Sequence, residues 1–191
     1  YDNTVFALIM TGADVKEWLE MSAGQFNQID PSSTAEQQLI NEEFRTYNFD
    51  VIDGVTYEFD VTQPAKYDSA GETINEKASR VVNLQYNDPK QQFIVVTNNY
   101  RASGNFPGVR NATDAIDYAY ENRAAIIDYM IDVGTIDPSA DDNWTFAAFS
   151  ENVNIIFETA AKAKDFIPKD TGIDYLSPTE EGFANYTFKQ K

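Results

Sequence analysis

The spacing of hydrophobic residues changes along the chain, and the first pattern is helical. Residues 11–14 (TGAD) have the hydroxyl-x-x-acid form of a capping box, and Val15, Trp18, Leu19 and Phe26 follow at offsets that line one helical face. The pattern predicts a helix from about Ala13 to Gly24. The next stretch, Asn27 to Glu43, is polar and contains a proline, which predicts a long loop with one helical turn.

Alternating patterns in the middle of the chain predict strands. From Phe49 to Val61 the odd positions are mostly apolar with a break at Asp53-Gly54, which predicts two strands or one strand with a bulge. Val82 to Tyr86 alternates before an Asn-Asp-Pro turn, and Phe93 to Thr97 is a continuous run that predicts a fully buried strand. Residues 98–108 contain two glycines and a proline, as expected of a loop after a strand, and such loops commonly carry binding residues.

Short elements of both types are predicted in the last third. A helical region is expected from Thr113, strongest from Glu121 to Asp132 and capped by Gly134. A loop is expected at Asp137–Asn143, followed by short strands at Trp144–Phe149 and Ile155–Phe157 and a short helix at Ala160–Phe166. The last predicted strand is Phe183–Phe188, with Ala184, Tyr186 and Phe188 pointing inward. Because strands and helices are interspersed irregularly, the sequence favours an α+β fold over a doubly wound sheet.

Size and charge restrict the class of protein. With 191 residues and 42% hydrophobic residues, the chain predicts one globular domain, residues 1–191. It opens on Tyr1 with no initiator methionine, which suggests a piece of a longer protein truncated at its N-terminal side, and no apolar run is long enough for a transmembrane helix. The net charge of -17 argues against a nucleic-acid polymer as partner, although a mononucleotide can still be bound locally.

The residue types present exclude several kinds of chemistry. There is no cysteine and no histidine, so this chain cannot build a disulfide, a thiolate site, a histidine general base or the mixed His/Asp centre of a metallophosphatase. Nothing in the spacing of the 31 acidic residues marks a catalytic pair, and no glycine-rich phosphate loop occurs. We therefore expect no catalytic residue, metal site or cofactor in this chain.

Three stretches closely resemble a known family: TGADVKEWLEMSAGQFNQIDP, YNFDVIDGVTYEFDVTQPAKY and TNNYRASGNFPG, at residues 11–31, 47–67 and 97–108. They are similar to the C-terminal domain of bacterial 2',3'-cyclic-nucleotide 2'-phosphodiesterase/3'-nucleotidases, within the wider 5'-nucleotidase family. The resemblance implies a four-layer α/β/β/α domain that binds nucleoside or nucleotide. It also implies an N-terminal metallophosphatase domain with a pair of divalent metal ions, an extracytoplasmic location and no hydrolysis by this domain alone.

The resemblance also implies site residues. Family members sandwich the base between two aromatic rings, and the matching positions are Tyr1 and Tyr100, while Asn3 matches an amide that hydrogen-bonds the base. Gly104 would allow a close approach of the ligand, and Asn105 stands where some members place an acid that contacts ribose. Stacking between rings contributes roughly 1–3 kcal/mol per contact and tolerates any base, so broad base specificity is expected.

Alternatives remain open on the sequence alone. Tyr47 and Phe49 are the other candidates for the second ring, although sheet core is the simpler role for both. The intact enzyme could instead be a 5'-nucleotidase or UDP-sugar hydrolase. In a different class, the chain could be a cell-surface interaction module whose aromatic residues form the core and whose acidity keeps it soluble.

Overall fold

The computed structural model describes residues 2–86 and 88–190. Among them, the strands and α-helices in chain order are β1 (Thr4–Thr11), α1 (Gly12–Ser22), β2 (Glu36–Gln38), β3 (Tyr57–Phe59), β4 (Val81–Val82), β5 (Gln92–Asn98), α2 (Asn99–Ala102), β6 (Asp114–Glu121), α3 (Asn122–Val133), β7 (Trp144–Phe146), β8 (Asn154–Ala160), β9 (Ile173–Pro178) and β10 (Phe183–Phe188). No helix in these two ranges is long and apolar enough to cross a membrane.

The strands form three sheets. The first has the order β5-β1-β6 and is antiparallel throughout, with β1 in the centre. The second has the order β2-β8-β10-β9, and the third the order β4-β3-β7. In the second sheet β2 pairs with β8 in parallel, and in the third sheet β3 pairs with β7 in parallel. Each of these two sheets therefore joins segments that are far apart in sequence. The α+β class predicted from the sequence is confirmed.

Helix α1 follows β1 directly because the capping box forms as predicted. The Thr11 side chain accepts a hydrogen bond from the Asp14 amide at 3.2 Å, and the Asp14 carboxylate accepts one from the Thr11 amide at 3.0 Å. These bonds satisfy amide groups that a helix start leaves unpaired. Val15, Trp18 and Leu19 are buried on the face that meets the core.

Edge-to-face aromatic contacts hold α1 and the third sheet together. Phe26, just after α1, lies 5.4 Å from Phe49 and 4.9 Å from Phe146 between ring centroids, both in T-shaped geometry. Trp144 packs against Phe49 at 5.7 Å and against Phe59 at 5.5 Å. Such pairs add about 0.5–1.5 kcal/mol each beyond the burial of their surface, so this cluster stabilises the packing of α1 on the third sheet.

One arginine is fully inside the protein. The Arg80 guanidinium donates to the carbonyl oxygens of Ala23, Phe26 and Gln63 at 2.6–2.8 Å. The Glu20 carboxylate, also buried, accepts from the amides of Arg80 and Val81. Burial lowers the pKa of Arg80 to about 10, with the Glu20 charge opposing that shift, so the guanidinium stays charged at neutral pH. Arg80 and Glu20 together link the end of α1 to the start of β4.

Several elements differ from the sequence-based expectations in the first two-thirds of the chain. Residues 49–55 are not a strand, and only Tyr57–Phe59 of that region joins a sheet. Strand β5 is an edge strand, and Ile94 and Val96 are 74% and 65% exposed, so the prediction of a fully buried strand is wrong. The expected loop at Asn27–Glu43 contains the short strand β2.

The last third also corrects some boundaries. Residues 114–121 form strand β6 because they pair with β1, so α3 begins only at Asn122; its predicted cap, Gly134, is present with φ +72°. The helix expected from Ala160 to Phe166 is a 3-10 helix at Ala161–Asp165. Strand β9 has no counterpart among the elements expected from the sequence. The last strand has Ala184 and Tyr186 fully buried and Phe188 packed against the core, as predicted.

Candidate functional site

The start of β1 and the end of β5 lie side by side at one end of the first sheet. Val5 pairs with Asn98, and the Thr4 amide donates to Oδ1 of Asn99 at 3.2 Å. Asn3 and Tyr100, one residue further in each direction, therefore stand at the same corner. The structure thus brings together two of the residues predicted to contact the base; Tyr1, the predicted second ring, lies outside the described residues.

Tyr100 is presented to solvent by a single turn of helix. The Asn98 side chain caps α2 by accepting from the Arg101 amide at 2.8 Å, which turns the chain sharply after β5. Within this turn Tyr100 is 61% exposed, whereas the next residue, Arg101, is 7% exposed. An exposed ring on a short, capped turn is available for stacking with a planar ligand.

Asn3 is fixed through its main chain. Its carbonyl oxygen accepts from the Asn122 amide at 2.8 Å, and the neighbouring Asp2 carboxylate lies 2.9 Å from Nη2 of Arg123. These contacts tie the beginning of β1 to the beginning of α3. Asn3 is half-buried, and its hydrogen bond to Asn122 does not involve the side-chain amide.

Gly104 has a structural role in the loop after α2. Its amide donates to the Arg101 carbonyl at 3.1 Å, and a β-carbon there would lie 3.3 Å from that oxygen and 3.5 Å from the Tyr100 carbonyl. A glycine thus keeps the turn below Tyr100 tight. Asn105 follows on the exposed side of the loop. Both residues stand within five positions of Tyr100 along the chain.

An ion pair beneath Tyr100 was not predicted from the sequence. The Arg101 guanidinium meets the Asp50 carboxylate, with Nε 2.7 Å from Oδ2 and Nη2 3.2 Å from Oδ1. The Trp18 indole nitrogen donates to the same carboxylate at 2.8 Å. No sequence pattern indicated this contact, because the residues come from three segments.

A cavity of about 620 Å³ adjoins this ion pair. Helix α1, residues 49–55 and β5 line it, and Trp18 and Asp50 stand at its wall. The volume falls in the range of small-molecule pockets. Because Asp50 and Asp53 both line it, the cavity does not favour an anionic group such as a phosphate.

The two other candidates for the second ring, Phe49 and Tyr47, differ in their exposure to solvent. Phe49 belongs to the aromatic core through its contacts with Phe26 and Trp144, whereas Tyr47 is 69% exposed. Of the two, only Tyr47 offers a ring to solvent. Across the described part of the chain, no three acidic side chains cluster as metal ligands.

Comparison with known sequences assigns the chain to one family. The family model described as "5'-nucleotidase, C-terminal domain" matches residues 1–107, and the chain belongs to this family. It is 50% identical, over 97% of its length, to the trifunctional nucleotide phosphoesterase protein YfkN of Bacillus subtilis. It is 48% identical, over 96% of its length, to a 2',3'-cyclic-nucleotide 2'-phosphodiesterase/3'-nucleotidase of Yersinia enterocolitica. The chain spans 13% and 31% of these two relatives.

Solved structures show the same fold at lower identity. A 5'-nucleotidase precursor from Thermus thermophilus is 18% identical with a TM-score of 0.54, covering 77% of this chain and 26% of that one. A putative 5'-nucleotidase from Staphylococcus aureus is 23% identical with a TM-score of 0.53, covering 76% and 28%. The predicted fold type, a 5'-nucleotidase C-terminal domain, is therefore confirmed.

Proposed function

We propose that this chain is the nucleotide-binding domain of a 2',3'-cyclic-nucleotide 2'-phosphodiesterase/3'-nucleotidase. The family match and the names of the relatives, which are 44–50% identical over most of this chain, support the proposal. Residues 1–191 then form one domain of a longer phosphoesterase. Its substrate is a nucleotide, and no nucleic-acid polymer is bound.

The base is held at the corner where β1 begins and β5 ends. Tyr100 stacks on one face of the base, Tyr1 on the other, and the side-chain amide of Asn3 reaches the base edge, where it can both donate and accept. Gly104 and Asn105 line the approach to the ribose. The observation that carries this proposal is that Tyr100, which follows the residue bound to the Thr4 amide, is 61% exposed, because a ring buried in the core could not stack on a ligand.

The hydrolytic step belongs to a preceding domain of the same protein. A pair of divalent metal ions bound in that domain would supply an activated water and charge stabilisation for the phosphoryl group. The residues of this chain bind and orient the nucleoside so that its phosphate meets that centre. The chain carries no histidine and an excess of 17 negative charges, which is consistent with leaving the phosphate to another domain.

The enzyme acts outside the cytoplasm, as a secreted, cell-wall-attached or periplasmic protein. Support comes from the Thermus thermophilus relative, which is described as a precursor, and from the absence of cysteine. The latter fits an exported bacterial protein that does not depend on disulfides.

Calorimetric titration of the full-length protein with adenosine, uridine and ribose 5-phosphate tests the proposal. Both nucleosides should bind with similar affinity, because stacking accepts any base, and ribose 5-phosphate should bind much more weakly. An interaction module of the cell surface would bind none of the three. Equal binding of ribose 5-phosphate and the nucleosides would contradict a base clamp.

A further inference from the structure

Arg101, the residue that follows the exposed Tyr100 in α2, is buried. Its guanidinium forms a two-pronged ion pair with Asp50, at 2.7 Å from Nε to Oδ2 and 3.2 Å from Nη2 to Oδ1. Bidentate pairs of this kind restrict both distance and orientation, which a lysine cannot reproduce. The ion pair therefore fixes the distance between the backbone of α2 and Asp50.

The same guanidinium contacts two further groups on the opposite segment. Nη2 donates to the Tyr47 carbonyl at 3.2 Å and to Oδ1 of Asn48 at 3.4 Å. The guanidinium also lies over the ring of Phe106, with its central carbon 4.0 Å from the ring centroid. Arg101 thus joins residues 47–50 to both ends of the loop 100–106.

Asp50 is itself anchored on helix α1. Its carboxylate accepts from the Trp18 indole at 2.8 Å, and its amide donates to the Ser22 hydroxyl oxygen at 3.2 Å. Trp18 is 3% exposed and belongs to the hydrophobic core, so Asp50 is bound to a core residue. The position of α2 is therefore fixed relative to the core of the protein through Arg101, Asp50 and Trp18.

Helix α2 needs this external support because it has only four residues. A single turn fixes several backbone angles for very few hydrogen bonds and is unstable by itself. Stacking, in contrast, requires a ring held close to its ideal distance and angle. We propose that Arg101, through Asp50, is the positioning residue of the nucleoside site: it holds Tyr100 in stacking geometry beside Asn3. This inference rests on the proposed function.

The exposed ring of Tyr47 belongs to the same arrangement. Its carbonyl is bound by the guanidinium that fixes Tyr100, so its backbone lies within the reach of one arginine side chain from α2. Arg101 therefore links the backbone at Tyr47 to α2, which carries Tyr100. Both are mostly exposed to solvent, so both rings are accessible to a ligand.

The test compares Arg101→Lys with Arg80→Lys in the full-length protein. Both substitutions replace a buried guanidinium, but Arg80 binds the carbonyls of residues 23, 26 and 63 and has no hydrogen bond to Asp50 or to residues 47 and 48. Adenosine affinity is measured by calorimetry well below the melting temperature of each variant. Arg101→Lys should weaken adenosine binding by roughly three- to tenfold, the latter equivalent to about 1.4 kcal/mol, whereas Arg80→Lys should lower the melting temperature and leave the affinity unchanged.

Asp50→Asn provides a second variant that keeps an acceptor for Trp18 and removes the charge. It should weaken adenosine binding in the same direction, and the double substitution with Arg101→Lys should cost less than the sum of the two single changes. This variant decides the question if Arg101→Lys does not fold. Unchanged affinity in Asp50→Asn, or equal losses in Arg101→Lys and Arg80→Lys, would overturn the positioning role.

The failure of this inference differs from the failure of the proposed function. If the unmodified protein binds no adenosine, or binds it equally after Tyr100→Ala, the nucleoside site itself is wrong. If Tyr100→Ala loses affinity while Arg101→Lys and Asp50→Asn do not, the site stands and only the positioning role is contradicted.

Discussion

Gly108 packs its α-carbon against the carbonyl oxygen of Asp14 in the first turn of α1. A β-carbon on Gly108 would lie 2.1 Å from that oxygen and 2.8 Å from the Trp18 amide nitrogen. Its φ of +79° also falls in the region that residues with a side chain rarely adopt. The loop that carries Tyr100 is therefore closed onto α1 at a point where only glycine fits.

Gly108→Ala should destabilise the protein more than Gly134→Ala. Gly134 has a similar φ, +72°, but a β-carbon there would meet nothing within 4 Å, so alanine costs only the backbone strain of roughly 1–2 kcal/mol. At Gly108 the steric clash adds roughly 1–3 kcal/mol. Urea unfolding monitored by circular dichroism measures both, and equal losses would show that the loop does not pack on α1 as described.

Thr11→Ala should remove one half of the capping box at the start of α1. The expected loss in the free energy of unfolding is about 0.5–2 kcal/mol, because the Asp14 amide loses its acceptor. Thr56→Ala, at an exposed position outside the helices, is the matched control and should change stability little. A loss at Thr56 as large as that at Thr11 would argue against the cap.

Tyr67 should make stability depend on pH in the alkaline range. Burial, and then its hydrogen bond to the Glu17 carboxylate, raise the pKa of Tyr67 above its ordinary value of 10.0. The unfolded chain loses this proton at about pH 10 while the folded protein keeps it, so the folded state binds more protons. The free energy of unfolding is therefore at its full value below about pH 10 and falls as pH rises above it.

Tyr67→Phe isolates that contribution. The variant should show a smaller decline of its urea midpoint between about pH 9 and about pH 11 than the unmodified protein. Tyr129→Phe, at a largely exposed ring, should leave the decline unchanged. Parallel declines in all three proteins would mean that the Tyr67–Glu17 contact does not hold the phenol in its neutral form.

Local signals in the sequence were sufficient for some elements. The capping box and the apolar face of α1, the inward side chains of β10 and the glycine cap of α3 depend on neighbours within a few residues, and the structure agrees with each. Long-range partners decided the rest. Residues 114–121 form a strand because β1 pairs with them, and residues 49–55 leave the sheet, with Asp50 bound to Arg101 and Trp18.

Strand β5 also shows that a local sequence pattern does not determine the position of a strand in its sheet. Its continuous apolar run is typical of a strand covered on both faces, yet it lies at the edge of the sheet with Ile94 and Val96 exposed. Sheet order is a property of the whole chain, and the run of residues 93–97 carries no information about it.

In the candidate site, too, some residues could be predicted from the sequence and others could not. Resemblance pointed to Tyr100 and Asn3, and the pairing of β1 with β5 brings their sequence neighbours Asn99 and Thr4 into contact. The Arg101–Asp50 ion pair, the hydrogen bond from Trp18 and the cavity lined by Trp18 and Asp50 could not be predicted, because residues 18, 50 and 101 meet only in the folded chain. The sequence therefore indicated candidate ligand-facing residues, and the structure identified what supports them.

The central claim is that the ring of Tyr100 stacks on a nucleobase, and adenosine affinity of Tyr100 variants tests it most directly. Calorimetry on the full-length protein should show Tyr100→Phe close to the unmodified protein and Tyr100→Ala weaker by roughly 1–3 kcal/mol. Tyr175→Ala, at an exposed tyrosine in β9 of the second sheet, should bind normally. Unchanged adenosine affinity in Tyr100→Ala, with the fold intact, would contradict the account.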